Sequence, residues 1–279
     1  MPNKLNKIIR YVILTLVGFI LIYPLLLLFF ATFKENNEIF TTLNLWPKNG
    51  FDASGYKEAW ETSTGRNFGF YFLNTLKLLI PKVILTVISC VLTAYAVVRF
   101  NFRGKAAVFA SIIATLLLPE VVLRIPTYLI WSNIGMLDSY VPLVAPSAFA
   151  IDSFFVFMLI QFFRTLPTEL DEAAKLDGCN PLQTLIYIFV PILKPAIISV
   201  ALFTFMWGMN DFQGPLIYVS STEKYTLSLL LRLSQDADSV VNYGKVFAMS
   251  MMALLPSILI FFFTQRYFIE GIASTGGKE

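Results

Sequence analysis

Long apolar runs alternate with polar segments along this chain. Residues 1–10 carry Lys4, Lys7 and Arg10 and no acid, and residues 11–33 are then almost wholly apolar. At about 1.5 Å per residue such a run crosses a ~30 Å hydrocarbon core, with Pro24 as a tolerated kink. A cleaved signal peptide is the rival reading. The run outlasts a usual signal core and lacks a small-x-small cleavage site, which favours a retained span. Further spans are expected at about 70–98, 106–131, 140–163, 196–219 and 244–267. The third is interrupted by Pro119, Glu120, Arg124 and Pro126, so it should cross as 106–118 and then bend or re-enter. Residues 34–69 are polar and turn-rich, with a short helix starting near Ser54.

The polar loop at 164–195 is patterned too. Leu166, Leu170, Ala173 and Ala174 recur at helical spacing until Gly178 breaks the pattern. Asn180 then suits a helix cap, Pro181 the first helical position, and Gln183 the reciprocal arm of a capping box. Leu182, Leu185, Ile186, Phe189 and Val190 follow at i, i+3, i+4, i+7 and i+8, which predicts one apolar stripe. Two short helices joined at a glycine are expected here.

Composition narrows the class. Of 279 residues 57% are apolar, 27 are Phe and only 14% are charged. With a mean hydropathy of +0.69, this is an all-α polytopic membrane protein, read as a single transmembrane domain over 1–279. A net charge of +3 without a basic, aromatic-interleaved stripe gives no nucleic-acid surface. Six spans put both termini on one side. The acid-free basic clusters at 4–10 and 99–105 make that side cytoplasmic, with the 164–195 loop. Residues 34–69, 132–139 and 220–243 then lie outside. Cys90 and Cys179 both fall at the cytoplasmic side and are expected as reduced thiols.

The chain has no histidine, which removes imidazole acid–base chemistry and most transition-metal sites. The Gly-rich tail after Glu270 lacks the Gly-Lys-Ser/Thr ending of a phosphate loop and no strand precedes it. No cofactor or metal is expected on this chain, and an enzyme is the weaker class. Inside the spans a few polar groups stand out. Lys77 and Lys82 should snorkel to the interface, or else face a wet cavity. Asp152, near the middle of the fourth span, is either a functional group or half of a structural pair. Asn210 and Asp211 either line a polar path or cap and kink the helix before Pro215. Trp207, with Phe203 and Phe205, reads first as packing, although an aromatic face also suits a sugar ring.

Glu172-Ala173-Ala174, three residues, Gly178, nine residues and Ile188-Phe189-Val190-Pro191 resemble the EAA loop of binding-protein-dependent ABC importers. Only Val190 departs from that pattern, where leucine is usual. Arg99-Phe-Asn-Phe-Arg-Gly-Lys, Gln161-Phe-Phe, Phe205-Met-Trp-Gly-Met-Asn-Asp-Phe, Pro215-Leu and Gln265-Arg-Tyr-Phe are similar to the carbohydrate branch, with its maltose-type and glycerol-3-phosphate-type permeases. The resemblance covers about 70–272 and implies a six-span, type I ABC importer permease subunit in the cytoplasmic membrane.

It further implies a homologous permease as heterodimer partner, two ATP-binding cassette subunits holding ATP and Mg, and an external solute-binding protein. Glu172, Ala173, Ala174, Gly178, Ile188 and Pro191 become the coupling element. The two alanines permit close approach, Glu172 offers a carboxylate, and the Leu182/Leu185/Ile186/Phe189 stripe ties the second helix to the spans. Pro191 and Pro195 end it. Asp152, Trp207, Asn210 and Asp211 are expected on the sugar path. The alternative is an ion-coupled transporter or channel using Asp152 and Lys77/Lys82.

Overall fold

All regular structure in the described residues is helical. The computed structural model describes residues 4–276 except 42–43, 49, 63–64 and 237–241; of residues 5, 235–236 and 267–276 it describes the backbone alone. In chain order the helices are α1 Lys4–Ala31, α2 Asn36–Thr41, α3 Ser54–Glu61, α4 Phe68–Arg99, α5 Lys105–Leu117, α6 Glu120–Asn133, α7 Val141–Val144, α8 Ser153–Thr165 and α9 Glu169–Leu176. Then come α10 Pro181–Ile192, α11 Lys194–Met209, α12 Gln213–Tyr218, α13 Leu227–Asp236 and α14 Tyr243–Gly276. Four stretches are long and apolar enough to cross a membrane singly. Counting the bent pairs α5–α6 and α10–α11 as one span each gives six. Of the Gly-rich tail, residues 277–279 lie outside the described residues.

The contacts group into two compact units, residues 1–70 with 230–255 and residues 71–229 with 256–279. In the first, α1 leaves its apolar surface exposed, as a lipid-facing span requires. The residues after it fold back. Phe30 meets Trp46 with ring centroids 4.9 Å apart, and the Asp52 N–H donates to the Phe33 carbonyl. The start of α3 lies against the start of α14. A Cβ on Gly55 would come within 2.9 Å of the Gly244 carbonyl oxygen, so only glycine permits this approach.

The second unit holds the core that matters for function. Cys90, Ala94 and Val97 of α4 pack with Phe155, Val156, Leu159, Ile160 and Phe163 of α8 and with Leu185, Phe189, Leu193, Ala196 and Val200 of α10–α11. All of these are nearly fully buried.

The spans are less regular than their hydropathy suggests. The third turns by 105° between α5 and α6, at Leu118–Pro119. The fourth is not one helix with Asp152 inside it. α7 tightens into a 3-10 turn over Ala145–Phe149, Ala150 takes a left-handed φ of +52°, and α8 begins only at Ser153. Pro142 and Pro146 withhold N–H groups from the first half, which helps to explain the break. The fifth stops at Met209 and restarts at Gln213. α8 packs on α11 and α7 on α12. The two broken spans therefore run antiparallel with their breaks side by side.

Candidate functional site

Gly178 has φ +78° and open space around its α-carbon. Its conformation, not crowding, is what demands glycine. The Cys179 N–H reaches the Ala174 carbonyl at 2.9 Å and the Gly178 N–H the Lys175 carbonyl at 3.2 Å. These two bonds make a Schellman ending for α9. α10 then starts on the expected capping box: Gln183 N–H donates to Asn180 Oδ1 at 2.9 Å, and Asn180 N–H donates to Gln183 Oε1 at 2.8 Å. The turn is thus closed by backbone bonds on the α9 side and by the side-chain capping box on the α10 side.

The loop is held to its own unit by two groups from α4. The Arg99 guanidinium donates to the carbonyls of Leu166 and Pro167 at 3.0 and 3.4 Å. It also pairs with Asp171 at 3.2 Å and lies 4.9 Å above the Phe189 ring. Burial pushes the Asp171 carboxyl above its ordinary value, and the Arg99 charge opposes that. Tyr95 donates its hydroxyl to the Pro181 carbonyl at 3.1 Å, and its ring meets both Phe163 and Phe189. Sequence reasoning treated Arg99 as one of several basic residues marking a membrane side. Its Phe-rich surroundings and place at the end of a span were the only local hints of this anchoring.

Two expectations for the loop are corrected. Ala174 is buried against its own core, so Ala173 alone of the two alanines faces outward, with Glu172. The apolar stripe splits: Leu185 and Phe189 are buried, whereas Leu182 and Ile186 are exposed. The helix does end between Pro191 and Pro195, at Ile192, before an 81° turn into α11. One local feature accompanies the split. The Val190 N–H bonds to the Leu185 carbonyl five residues back, a widened turn. An α-helical turn would press the Pro191 ring on the Tyr187 carbonyl, and widening relieves that clash. Residues 185, 189 and 193 then share the buried side. Ile188 is half-buried, and Leu176, Leu182, Ile186 and Tyr187 form an exposed apolar rim beside Glu172.

The residues expected on the sugar path lie at or near the breaks of the fourth and fifth spans. Asp152 accepts from Thr86 Oγ1 of α4 at 3.4 Å. Lys82 lies one turn from Thr86 on the same helix and forms no ion pair with Asp152. Lys77 is exposed and Lys82 half-buried. Trp207 stacks on Phe155 at 5.1 Å, three residues past Asp152, and is half exposed. Asn210 donates to the Met206 carbonyl at 2.8 Å and ends α11. Asp211 turns the chain: its Oδ1 accepts from the Gly214 N–H at 2.9 Å, and its own carbonyl accepts from Ser228 Oγ at 2.6 Å. Of the two readings for Asp211, capping is the one its bonds support.

At the opposite end of this unit Asp138 joins two loops. Its carboxylate accepts from the N–H groups of Ser220 and Ser221, from Ser221 Oγ and from Lys224 Nζ at 2.7 Å. Those bonds, led by the Lys224 ammonium, hold it well below the usual carboxylate range. Asn74 of α4 donates to the carbonyls of Glu223 and Tyr225, and the Leu227 N–H donates to Thr75. Among the described residues no group of three or more His, Cys, Asp or Glu stands close enough to hold a metal ion.

Residues 86–272 match the family described as binding-protein-dependent transport system inner membrane component. That match spans most of the chain. The chain belongs to this family. The permease is 27% identical to the lactose transport system permease protein LacG of Rhizobium radiobacter, over 97% of this chain and 96% of the relative. It is 29% identical to the sn-glycerol-3-phosphate transport system permease protein UgpE of Pectobacterium atrosepticum, over 94% and 95%. A crystal structure of a bacterial ABC transporter involved in the import of the acidic polysaccharide alginate superposes with a TM-score of 0.81 at 22% identity, covering 95% of this chain and 97% of that one. The permease is therefore a multi-pass transport component and not an enzyme, and nothing in the family supports ion-coupled transport.

Proposed function

We propose that this permease forms half of the translocation path for a sugar or oligosaccharide in an ATP-driven importer. The observation that carries the reading is the α9–α10 turn, which is rigid on its inner side and exposed on its outer side. Arg99 and Tyr95 fix it to α4 and the core, while Glu172, Ala173 and the rim Leu176/Leu182/Ile186/Tyr187 point away. A rigid knob carrying a carboxylate and apolar side chains suits a cleft on an ATP-binding subunit. ATP and Mg belong to that partner. Closure of two such subunits pushes the turn, and the chain transmits the displacement to the breaks.

The turn then lies in the cytoplasm of a bacterial inner membrane, with both termini. The Asp138 end faces the external solute-binding protein, and a homologous permease completes the path. At the breaks, Trp207 offers an aromatic face backed by Phe155, beside Asp152 and Asn210 as hydrogen-bonding groups. Relatives named for lactose and for diacetylchitobiose support a saccharide cargo.

The test is uptake of radiolabelled mono-, di- and oligosaccharides by the purified complex in proteoliposomes, with ATP inside or with a proton or sodium gradient alone. ATP dependence, lost in Glu172→Lys and in Gly178→Val, is the expected result. Gradient-driven uptake by complexes that contain no ATPase overturns it.

A further inference from the structure

α6 lies beyond the elbow of the third span and was expected only to bend or re-enter. Its residues divide by face. Glu120, Arg124, Thr127, Tyr128 and Trp131 recur at i, i+4, i+7, i+8 and i+11, one helical stripe. Val121, Val122, Ile125 and Leu129 take the other side and are exposed. The polar stripe turns inward. Tyr218 of α12 donates its hydroxyl to Thr127 Oγ1 at 3.2 Å, and the Tyr128 and Tyr218 rings meet at 6.3 Å. Arg124 and Glu120 pair at 3.9 Å one turn further along. Glu120 then stands at the elbow, at the start of α6.

An exposed carboxylate at membrane depth is expensive against lipid. Glu120 keeps 86% of its side-chain surface and Arg124 27%. The apolar face of the same helix has Ile125 at 73% and Val121 at 67%, as hydrocarbon contact would require. A helix with an exposed apolar face and, on its polar face, a largely exposed carboxylate suits a boundary between lipid and water.

We infer that the inner stripe of α6, Glu120, Arg124 and Thr127, is a wall of the aqueous route along which the solute passes to the breaks at Asp152 and Asn210. At the break, Thr86 of α4 donates to Asp152. The inference rests on the transport reading but adds residues that the pattern of the spans alone did not mark. It also gives the route a direction, from the Thr127–Tyr218 end of α6 to its Glu120 end. The occupant is water with the solute, and not a second protein surface.

The experiment uses the whole complex in spheroplasts, in a background of Cys90→Ala and Cys179→Ser that still takes up solute. Single cysteines replace Glu120, Arg124 and Thr127 on one face and Val121, Ile125 and Leu129 on the other. The probe is a charged, membrane-impermeant methanethiosulfonate. The stripe positions are expected to be labelled and the apolar positions not, and trapping the complex with ATP and vanadate should change labelling at the stripe alone. Labelling of both faces alike, of the apolar face alone, or of neither overturns the inference. Glu120→Gln and Arg124→Gln provide a second measurement should a cysteine variant fail to insert: both are expected to lose uptake, and full uptake in both counts against the wall. Because the probe is not a sugar, a wrong cargo leaves the labelling pattern intact.

Discussion

At the scale of single residues, strength in this permease comes from side chains that satisfy backbone groups. Arg99 is the clearest case. It spans two carbonyls, a carboxylate and an aromatic face at once. A lysine keeps the charge but not the planar fork. Arg99→Lys should free the start of α9 and cost about 1–3 kcal/mol through unsatisfied partners, read as faster hydrogen exchange over residues 166–176. Asp138 makes a different prediction. Its folded carboxyl is held low by Lys224 and Ser221, so its stabilisation is complete above about pH 4, where the unfolded carboxyl is ionised too. That stabilisation is lost only as pH falls through the lowered folded value. Asp138→Asn should therefore lower stability by about 1.5–3 kcal/mol at neutral pH. The gap between the two melting temperatures should shrink in acid; an unchanged gap at low pH would sink the assignment. These contacts were invisible in the sequence because each joins residues far apart along the chain. Gly178 and the Asn180–Gln183 box were legible because their bonds close within a few residues.

Elements behave according to their irregularities. The widened turn in α10 decides which residues tie the loop to the core, and it was missed because helical spacing assumes a uniform pitch. Phe189, fully buried between Tyr95, Phe163 and Arg99, should cost about 3–5 kcal/mol when replaced by alanine. Leu182→Ser and Ile186→Ser should stay within about 0.5 kcal/mol for the isolated chain. Thermal denaturation in detergent separates the two classes. The same serine variants should reduce co-purification of the ATP-binding subunit if the rim docks there. The spans themselves were legible from their length and oiliness. The bend of the third and the cap before Pro215 in the fifth were legible too; the break of the fourth was not, because a hydropathy run is blind to a φ of +52° at an alanine. Asp152 was recognisable as unusual, but only the fold explains that it sits where backbone groups are already released.

For the molecule as a whole, the two thiols report on integrity. Cys90 is fully buried and Cys179 lies beside the exposed turn. Maleimide should label Cys179 in the folded permease and reach Cys90 only after denaturation, as read by mass spectrometry. Sequence and fold agree on the broad plan, six apolar passes and one ordered loop. The two compact units and the facing of α6 needed coordinates, since both depend on which surfaces meet. The neighbouring breaks in the fourth and fifth spans have a mechanical consequence. Both spans are gripped at one end by Arg99 and Tyr95 and at the other by the Asp138 knot. A rod clamped at its ends and cut in the middle yields at the cut. Two such rods, antiparallel and cut at the same height, share one crease. On the proposed coupling, a push on the loop is passed on as a fold along that crease, with Asp152, Trp207 and Asn210 close to it.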